Sequence, residues 1–474
     1  MQSTSLSYLA FLALTFTLYW AVHRYRVARL GVLLVASLFF YMVWTPLPVL
    51  VFFWGAAFDH LIVKGLARAK SPGARKALVI ASIVSNLGML ATFKYAELFR
   101  ETARTLLAPL GVTVREEPFG LLLPIGLSFL CFQAISYVVD VYRGKASAEH
   151  SYLEHLLYLL FFPRVVSGPI VRASALLERF NEVPTLTAEA GGRALYRIAV
   201  GLVKKMVIAD VLGSGLVDPV FSDPAAYTSA ECLVAAVAYT FELYFDFSGY
   251  SDIAIGAATL FGFEFPENFA RPYLAKNLFE FWNRWHMSLS SWLRDYLYIP
   301  LGGNRRSKPR VLFNLMTVMV LGGLWHGADW RFAVWGGVHG VGLCLTRTWW
   351  WIRGGRPEAE SVGVVRTAVG MLFTFTVVVL TRIVFRAPNM AHAAEFYSRM
   401  LLFIPGLANV SALVWTMLAV AVVSHALPMK LYDTVGTIFV RLPAPVRAVA
   451  LVALGLGIRH LTSVEARPYV YLQF

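Results

Sequence analysis

The chain has 474 residues, 58% of them apolar or aromatic and 15% charged, where a soluble domain runs at roughly half apolar and a quarter charged. Soluble domains divide beyond about 250 to 300 residues and need polar linkers to do so, so the apolar excess is expected to face lipid rather than fill one core. Lys and Arg number 42 against 28 Asp and Glu, a net charge of +14; the cations lie in short clusters between apolar runs, which indicates positive-inside topology and no nucleic-acid partner.

Uncharged runs cover 6–22, 30–58, 77–93, 118–139, 232–241, 311–325, 332–346, 367–381 and 401–429. The first, Leu6 to Val22, has no basic stretch ahead of it and no small-residue cleavage pattern behind it, and is read as a retained span. Pro46 and Pro48 split the second into two spans joined by a turn near Thr45. Three Arg between His23 and Arg29, and five Lys or Arg between Lys64 and Lys76, put both flanking loops in the cytoplasm and the N-terminus outside. Lys94 to Glu117 then falls outside and Arg143 to Lys145 inside. The largest basic segment, Arg271 to Arg310, carries eight Lys or Arg and is assigned to the cytoplasm. Pro405 and Pro428 bracket a span near the C-terminus. The pattern predicts an all-α polytopic membrane protein of about ten to twelve spans, forming a single domain over 1–474 in a lipid bilayer. Cys131, Cys232 and Cys344 lie inside apolar runs without metal-ligand spacing, so no metal site and no disulfide framework is expected.

Within the basic segment, Trp282, Trp285, Leu289, Trp292, Leu293 and Tyr296 recur at helical spacing, with Asn283, Arg284, Ser288, Arg294 and Asp295 largely elsewhere. This predicts a helix over 279–298 lying along the interface or re-entering the membrane. Between Arg310 and Arg347 two short apolar runs read as a hairpin that enters the membrane and returns, with His326 at its tip inside Leu324-Trp325-His326-Gly327. Sixteen residues of helix from Arg310 rise about 24 Å, which puts His326 deep in a core of roughly 30 Å.

An imidazole at that depth suits a general base that takes a proton from an acceptor hydroxyl; the alternative is a histidine that bridges helices by hydrogen bonds. Glycines around His326 would let a substrate approach the backbone. His286 is either a second functional histidine or an interfacial one on an aromatic helix. His339, thirteen residues past His326, reads as a packing or orienting partner. Glu242, Asp246 and Asp252 form a carboxylate cluster in which Glu242 and Asp246 share a helix face, so one should be protonated or paired with a cation. They could form the ion path of a secondary transporter, or a buried network with an Arg such as Arg284 or Arg294. No P-loop, dinucleotide fingerprint, HExxH or GxSxG pattern is present, which sets aside nucleotide hydrolysis, hydride transfer and zinc proteolysis.

Residues 128–144 (SFLCFQAISYVVDVYRG), 161–172 (FFPRVVSGPIVR), 244–256 (YFDFSGYSDIAIG), 268–304 and the Trp325-His326-Gly327 hairpin together resemble the membrane-bound O-acyltransferase (MBOAT) family. The resemblance is to the bacterial branch that contains the alginate O-acetylation membrane subunit, and it runs from about residue 5 to the terminal Tyr469 to Phe474. It implies a ring of tilted helices around a thin membrane centre, with re-entrant or interfacial helices, a cytoplasmic donor pocket and an outward acceptor funnel. It also implies that the two family histidines fall on His326 and His286. An acyl group, most simply acetyl from acetyl-CoA or another cytoplasmic thioester, would cross the inner membrane to a periplasmic acetyltransferase-type partner or a polysaccharide hydroxyl, with no bound cofactor. Trp325 or Asn283 could stabilise the oxyanion, Trp285 would support the site, and Arg284, Arg294, Arg305 and Arg306 could hold a polyphosphorylated donor. Arg164 departs from the family's usual neutral polar residue, which bears on donor preference or on the local network and not on the chemistry. D-alanyl transfer to teichoic acid from a carrier protein is the runner-up within the family.

Overall fold

The computed structural model describes residues 3–44, 49–114, 117–165, 167–356, 363–461 and 467–470. Among these the chain is helical, with no strand, and it is a polytopic membrane protein. Arg26–Val43, Val49–Arg68, Pro72–Phe93, Val364–Arg386 and Ala444–Leu461 are long and apolar enough to cross a bilayer; Ala412–Ala426 and Met429–Arg441, bent by 96°, add one broken span. Leu6–Ala21 and Leu127–Tyr142 are apolar but shorter. The expected ten to twelve spans require helices with more polar residues as well. Ser229–Leu260, with 32 residues, rises about 48 Å but carries buried Glu231, Glu242, Asp246 and Asp252. Leu61, Val84, Phe373 and Val449 stand more than half exposed, as side chains do when their neighbours are lipid tails. The turn with Thr45, Pro46 and Pro48 lies outside the described residues, as does the terminal stretch from Tyr471 to Phe474; helices end and begin on either side of the first at Trp44 and Val49.

The chain divides into two compact units, Met1–Ala194 with Ala254–Pro266, and Leu195–Ile253 with Glu267–Phe474. In the first, polar residues inside apolar helices tie spans together. Asp59 accepts from the Ser82 hydroxyl at 2.5 Å and the Asn86 amide at 2.8 Å, each group satisfying another that burial would otherwise leave costly. Arg29 donates to the carbonyls of Phe180 and Glu182 at 3.0 and 2.5 Å. Arg164 is buried over the Tyr158 ring, 4.8 Å from its centroid, and donates to the Tyr158 carbonyl.

The second unit holds His286, His326 and His339. Within it, residues 229–253 are helical, and a π-helical turn at Val203–Ala209 turns two successive lysines toward them. The helix expected over 279–298 is instead two short helices, Leu278–Trp282 and Met287–Leu293, followed by a π turn at Arg294–Tyr298. The break falls at His286, whose backbone is left-handed at φ 44°, a region that non-glycine residues occupy at a cost and that concentrates at functional sites.

Candidate active site

Two helices, Lys308–His326 and Trp330–Ile352, form the hairpin. A Cβ at Gly323 would collide with the Phe332 carbonyl, and one at Gly336 with the Met319 carbonyl; glycine is what lets the two backbones cross this closely. Asp329 caps the second helix by accepting from the Arg331 amide at 2.8 Å, and Arg331 donates to the Phe385 carbonyl at 3.1 Å. His326 is the last residue of the first helix, 6% exposed. Its ring meets Trp325 at 5.1 Å, Trp335 edge-on at 5.4 Å and Phe385 at 5.3 Å between centroids. Those rings leave the imidazole few orientations, which is how a reactive side chain is fixed without covalent help.

His326 and Trp335 line a cavity of about 410 Å³ together with Trp282, Asn283, Arg294 and Arg347, over an apolar floor that includes Leu289, Met319 and Leu343. Among the described residues the indole nitrogens of Trp282 and Trp335 are buried without a hydrogen-bond partner; a buried donor left so is costly unless a ligand satisfies it. Arg347 donates to the Asn304 side chain at 2.8 Å. In the sequence it served only to mark a cytoplasmic helix end, and nothing in the chain's local pattern indicated that it would come round to this wall.

His286 is fully buried and does not line this cavity. Its Nδ1 lies 3.1 Å from Asn268 Oδ1, which as a carbonyl oxygen requires Nδ1 to carry the proton. Asn268 is the clamp of the break: its Oδ1 also accepts from the Ser288 hydroxyl at 2.8 Å, its amide donates to Ser251 at 3.1 Å, and its carbonyl accepts from the Met287 amide at 2.9 Å. Trp325 stands between His286 and His326, its ring 6.1 Å from the first and 5.1 Å from the second. Sequence reasoning passed over Asn268, since it stands 18 residues before His286.

His339, read from the sequence as a packing or orienting partner, sits among aromatic rings. It lies 4.8 Å from Trp335 and 5.3 Å from Trp282 by ring centroids, and its Nε2 is 3.1 Å from the Thr381 hydroxyl. That hydroxyl donates to the Val378 carbonyl, so His339 must be the donor between them. Trp285 is buried, stacked on Phe281 at 5.9 Å, away from the cavity wall.

The carboxylates belong elsewhere in this unit. Asp246 is paired with Lys205 at 2.6 Å, both side chains almost wholly buried, and Lys205 also meets Asp210 at 2.7 Å. Asp252 is held by Arg197 at 3.0 Å and Lys204 at 2.6 Å, beside a separate cavity of about 760 Å³. A cation does pair with Asp246, but it is neither of the arginines proposed from sequence: Arg284 binds Glu280 one turn away and Arg294 binds Asp295 at 2.8 Å. The π turn at Val203–Ala209 delivers Lys204 and Lys205 instead. Of the expected donor-binding cations, Arg294 lines the His326 cavity, while Arg284, Arg305 and Arg306 do not.

A model of the membrane-bound O-acyltransferase family matches residues 145–352, the stretch that contains both His286 and His326. A probable alginate O-acetylase of Pseudomonas aeruginosa is 38% identical over 392 residues, covering 81% of this chain and 71% of that protein. A peptidoglycan O-acetyltransferase of Helicobacter pylori is 31% identical over 425 residues, covering 83% and 78%. A teichoic acid D-alanyltransferase of Streptococcus thermophilus is 31% identical over 285 residues, with 55% and 68% covered.

Proposed function

Since this chain belongs to the membrane-bound O-acyltransferase family, we propose that it carries acetyl from cytoplasmic acetyl-CoA across the inner membrane to hydroxyls destined for an alginate-like exopolysaccharide. Residues 1–474 act as one acyltransferase domain, with the N-terminus outside. The observation that carries the proposal is His326 on the wall of the 410 Å³ cavity, faced by buried indole N–H groups and by Arg294 and Arg347.

His326 takes the proton of the acceptor hydroxyl as its oxygen attacks the thioester carbonyl. The C–O bond forms, the C–S bond breaks, and the imidazolium returns the proton to the departing thiolate. Asn283, on the cavity wall, and the indoles of Trp282 and Trp335 are placed to donate to the oxyanion; Trp325 orients His326 by ring contact, with His286 behind it. Arg294 and Arg347 suit the phosphates of the donor. The acetyl passes to a periplasmic acetyltransferase-type partner or directly to the polysaccharide. The relatives that name D-alanyl transfer align over a smaller share of the chain, and the ion pairs of Asp246 and Asp252 disfavour a transport path through them.

The test is label transfer from acetyl-CoA by the protein in nanodiscs. His326→Ala should remove transfer by about 10² to 10⁴-fold, the usual contribution of general-base catalysis, while the protein still inserts and keeps its melting temperature. Full activity in that variant would refute the assignment; transfer only from a carrier-protein thioester would replace acetyl-CoA as donor.

A further inference from the structure

Arg382 lies in the last turns of the Val364–Arg386 helix, 1% exposed, and its Nε, Nη1 and Nη2 find no hydrogen-bond partner among the described residues. The other deeply placed arginine of this unit, Arg331, donates to a backbone carbonyl. Arg382 instead lies over ring faces, near His339: its guanidinium carbon is 4.3 Å from the centroid of Trp285, 5.3 Å from Phe385 and 5.9 Å from Trp335. Cation–π contact returns part of the desolvation cost, but an ion inside a bilayer without a counter-charge remains expensive, and such residues are functional by default. Two of these three rings, Trp335 and Phe385, are the ones that flank His326 at 5.4 and 5.3 Å. The cation and the base therefore sit on the same pair of aromatic side chains.

We propose that Arg382 supplies the positive field that stabilises the oxyanion formed beside His326 during acyl transfer. The inference rests on the acyltransferase reading above. In that step the acceptor hydroxyl gives its proton to His326, the new C–O bond sends the carbonyl π pair onto oxygen, and collapse expels the thiolate, which takes the proton back. Negative charge appears on the carbonyl oxygen only between these events. A fixed cation without a ground-state partner is suited to such a charge, because it needs no reorganisation when the charge arises and acts through low-dielectric rings. Arg382 does not line the cavity; it is a positioning residue that acts across Trp335 and Phe385.

The test compares Arg382→Met, Arg382→Gln and Arg382→Lys with wild type in nanodiscs, measuring kcat and KM for acetyl-CoA and the melting temperature of each. Loss of charge should lower kcat by about 100-fold, the scale of removing one oxyanion donor, with KM unchanged within about threefold, and Lys should restore at least a tenth of wild-type kcat. A structural role alone would show as a lower melting temperature without rescue by Lys. A folded Met or Gln variant with kcat within about threefold of wild type overturns the proposal, as does a folded Lys variant as inactive as the neutral ones. If neither neutral variant folds, the kcat of Arg382→Lys decides by the same criterion. An active wild type, inactive His326→Ala and fully active Arg382→Met would sink the role of Arg382 alone; an active His326→Ala would sink the acyltransferase assignment beneath it.

Discussion

His326 and His286 carry the same side chain into different surroundings. The first ends a helix and faces a chamber; the second is sealed among Phe247, Asn268 and Trp325. A general base must come within hydrogen-bond reach of the proton it removes, so the two should not respond alike to mutation. His286→Ala is expected to reduce acyl transfer by less than His326→Ala and to lower the melting temperature as well, and Asn268→Ala should reproduce it because it removes the same clamp. Steady-state rates and thermal unfolding of the three variants check this; loss of activity in His286→Ala equal to that of His326→Ala at unchanged stability would place His286 in the chemistry itself. At this scale His326 was legible from its glycine and tryptophan neighbours, whereas Asn268, Arg347 and Arg382 were not. Their parts depend on contacts with segments far off in the chain, and the local pattern around each reads as ordinary loop, helix end or span.

Among the elements, the hairpin was readable because a chain that enters an apolar run and leaves it between two cations has little choice of path. The helix over 279–298 was not, because apolar spacing reports which face is buried and is blind to a side chain that pins the backbone from elsewhere. Asn268 pins it, and the register is interrupted at His286 without disturbing the periodic pattern. The hairpin contact itself offers a paired prediction. Gly336 abuts the Met319 carbonyl, while its neighbour Gly337 faces open space. Gly336→Ala should destabilise the protein by about 1 to 3 kcal/mol, as overpacking does, and lower activity with it by displacing His326. Gly337→Ala should be neutral or stabilising by up to about 1 kcal/mol, since alanine is the better helix former. Thermal unfolding in one detergent separates them, and equal melting temperatures would refute the close crossing.

For the molecule as a whole, composition indicated a bilayer and the exposed apolar side chains agree with it, but orientation rests on where the cations cluster. Arg305 and Arg306 lie in the most basic segment and should face the cytoplasm. A cysteine introduced at Arg305 is expected to react with an impermeant maleimide in inverted vesicles and to be protected in intact spheroplasts; the opposite labelling would turn the acyl path round. The number of spans was less legible than their existence. Helices such as Ser229–Leu260 bury their charged residues against protein, so their composition resembles that of a soluble segment although their length does not.

The chamber beside His326 has one consequence in terms of water. At about 410 Å³ it has room for on the order of ten solvent molecules, held against walls that are largely aromatic and aliphatic and offer them few hydrogen bonds. Water against such walls is expected to be poorly ordered, and displacing poorly ordered water by apolar groups favours binding. If the cavity takes the thioester and acceptor proposed above, attraction for them would be spread over the walls and indifferent to direction, while the choice of which oxygen meets which carbonyl would fall to the polar groups among them. On the proposed reading, selectivity would turn on where the polar groups of the wall point, Asn283, Arg294, Arg347 and the two indole hydrogens among them, far more than on how tightly anything is held.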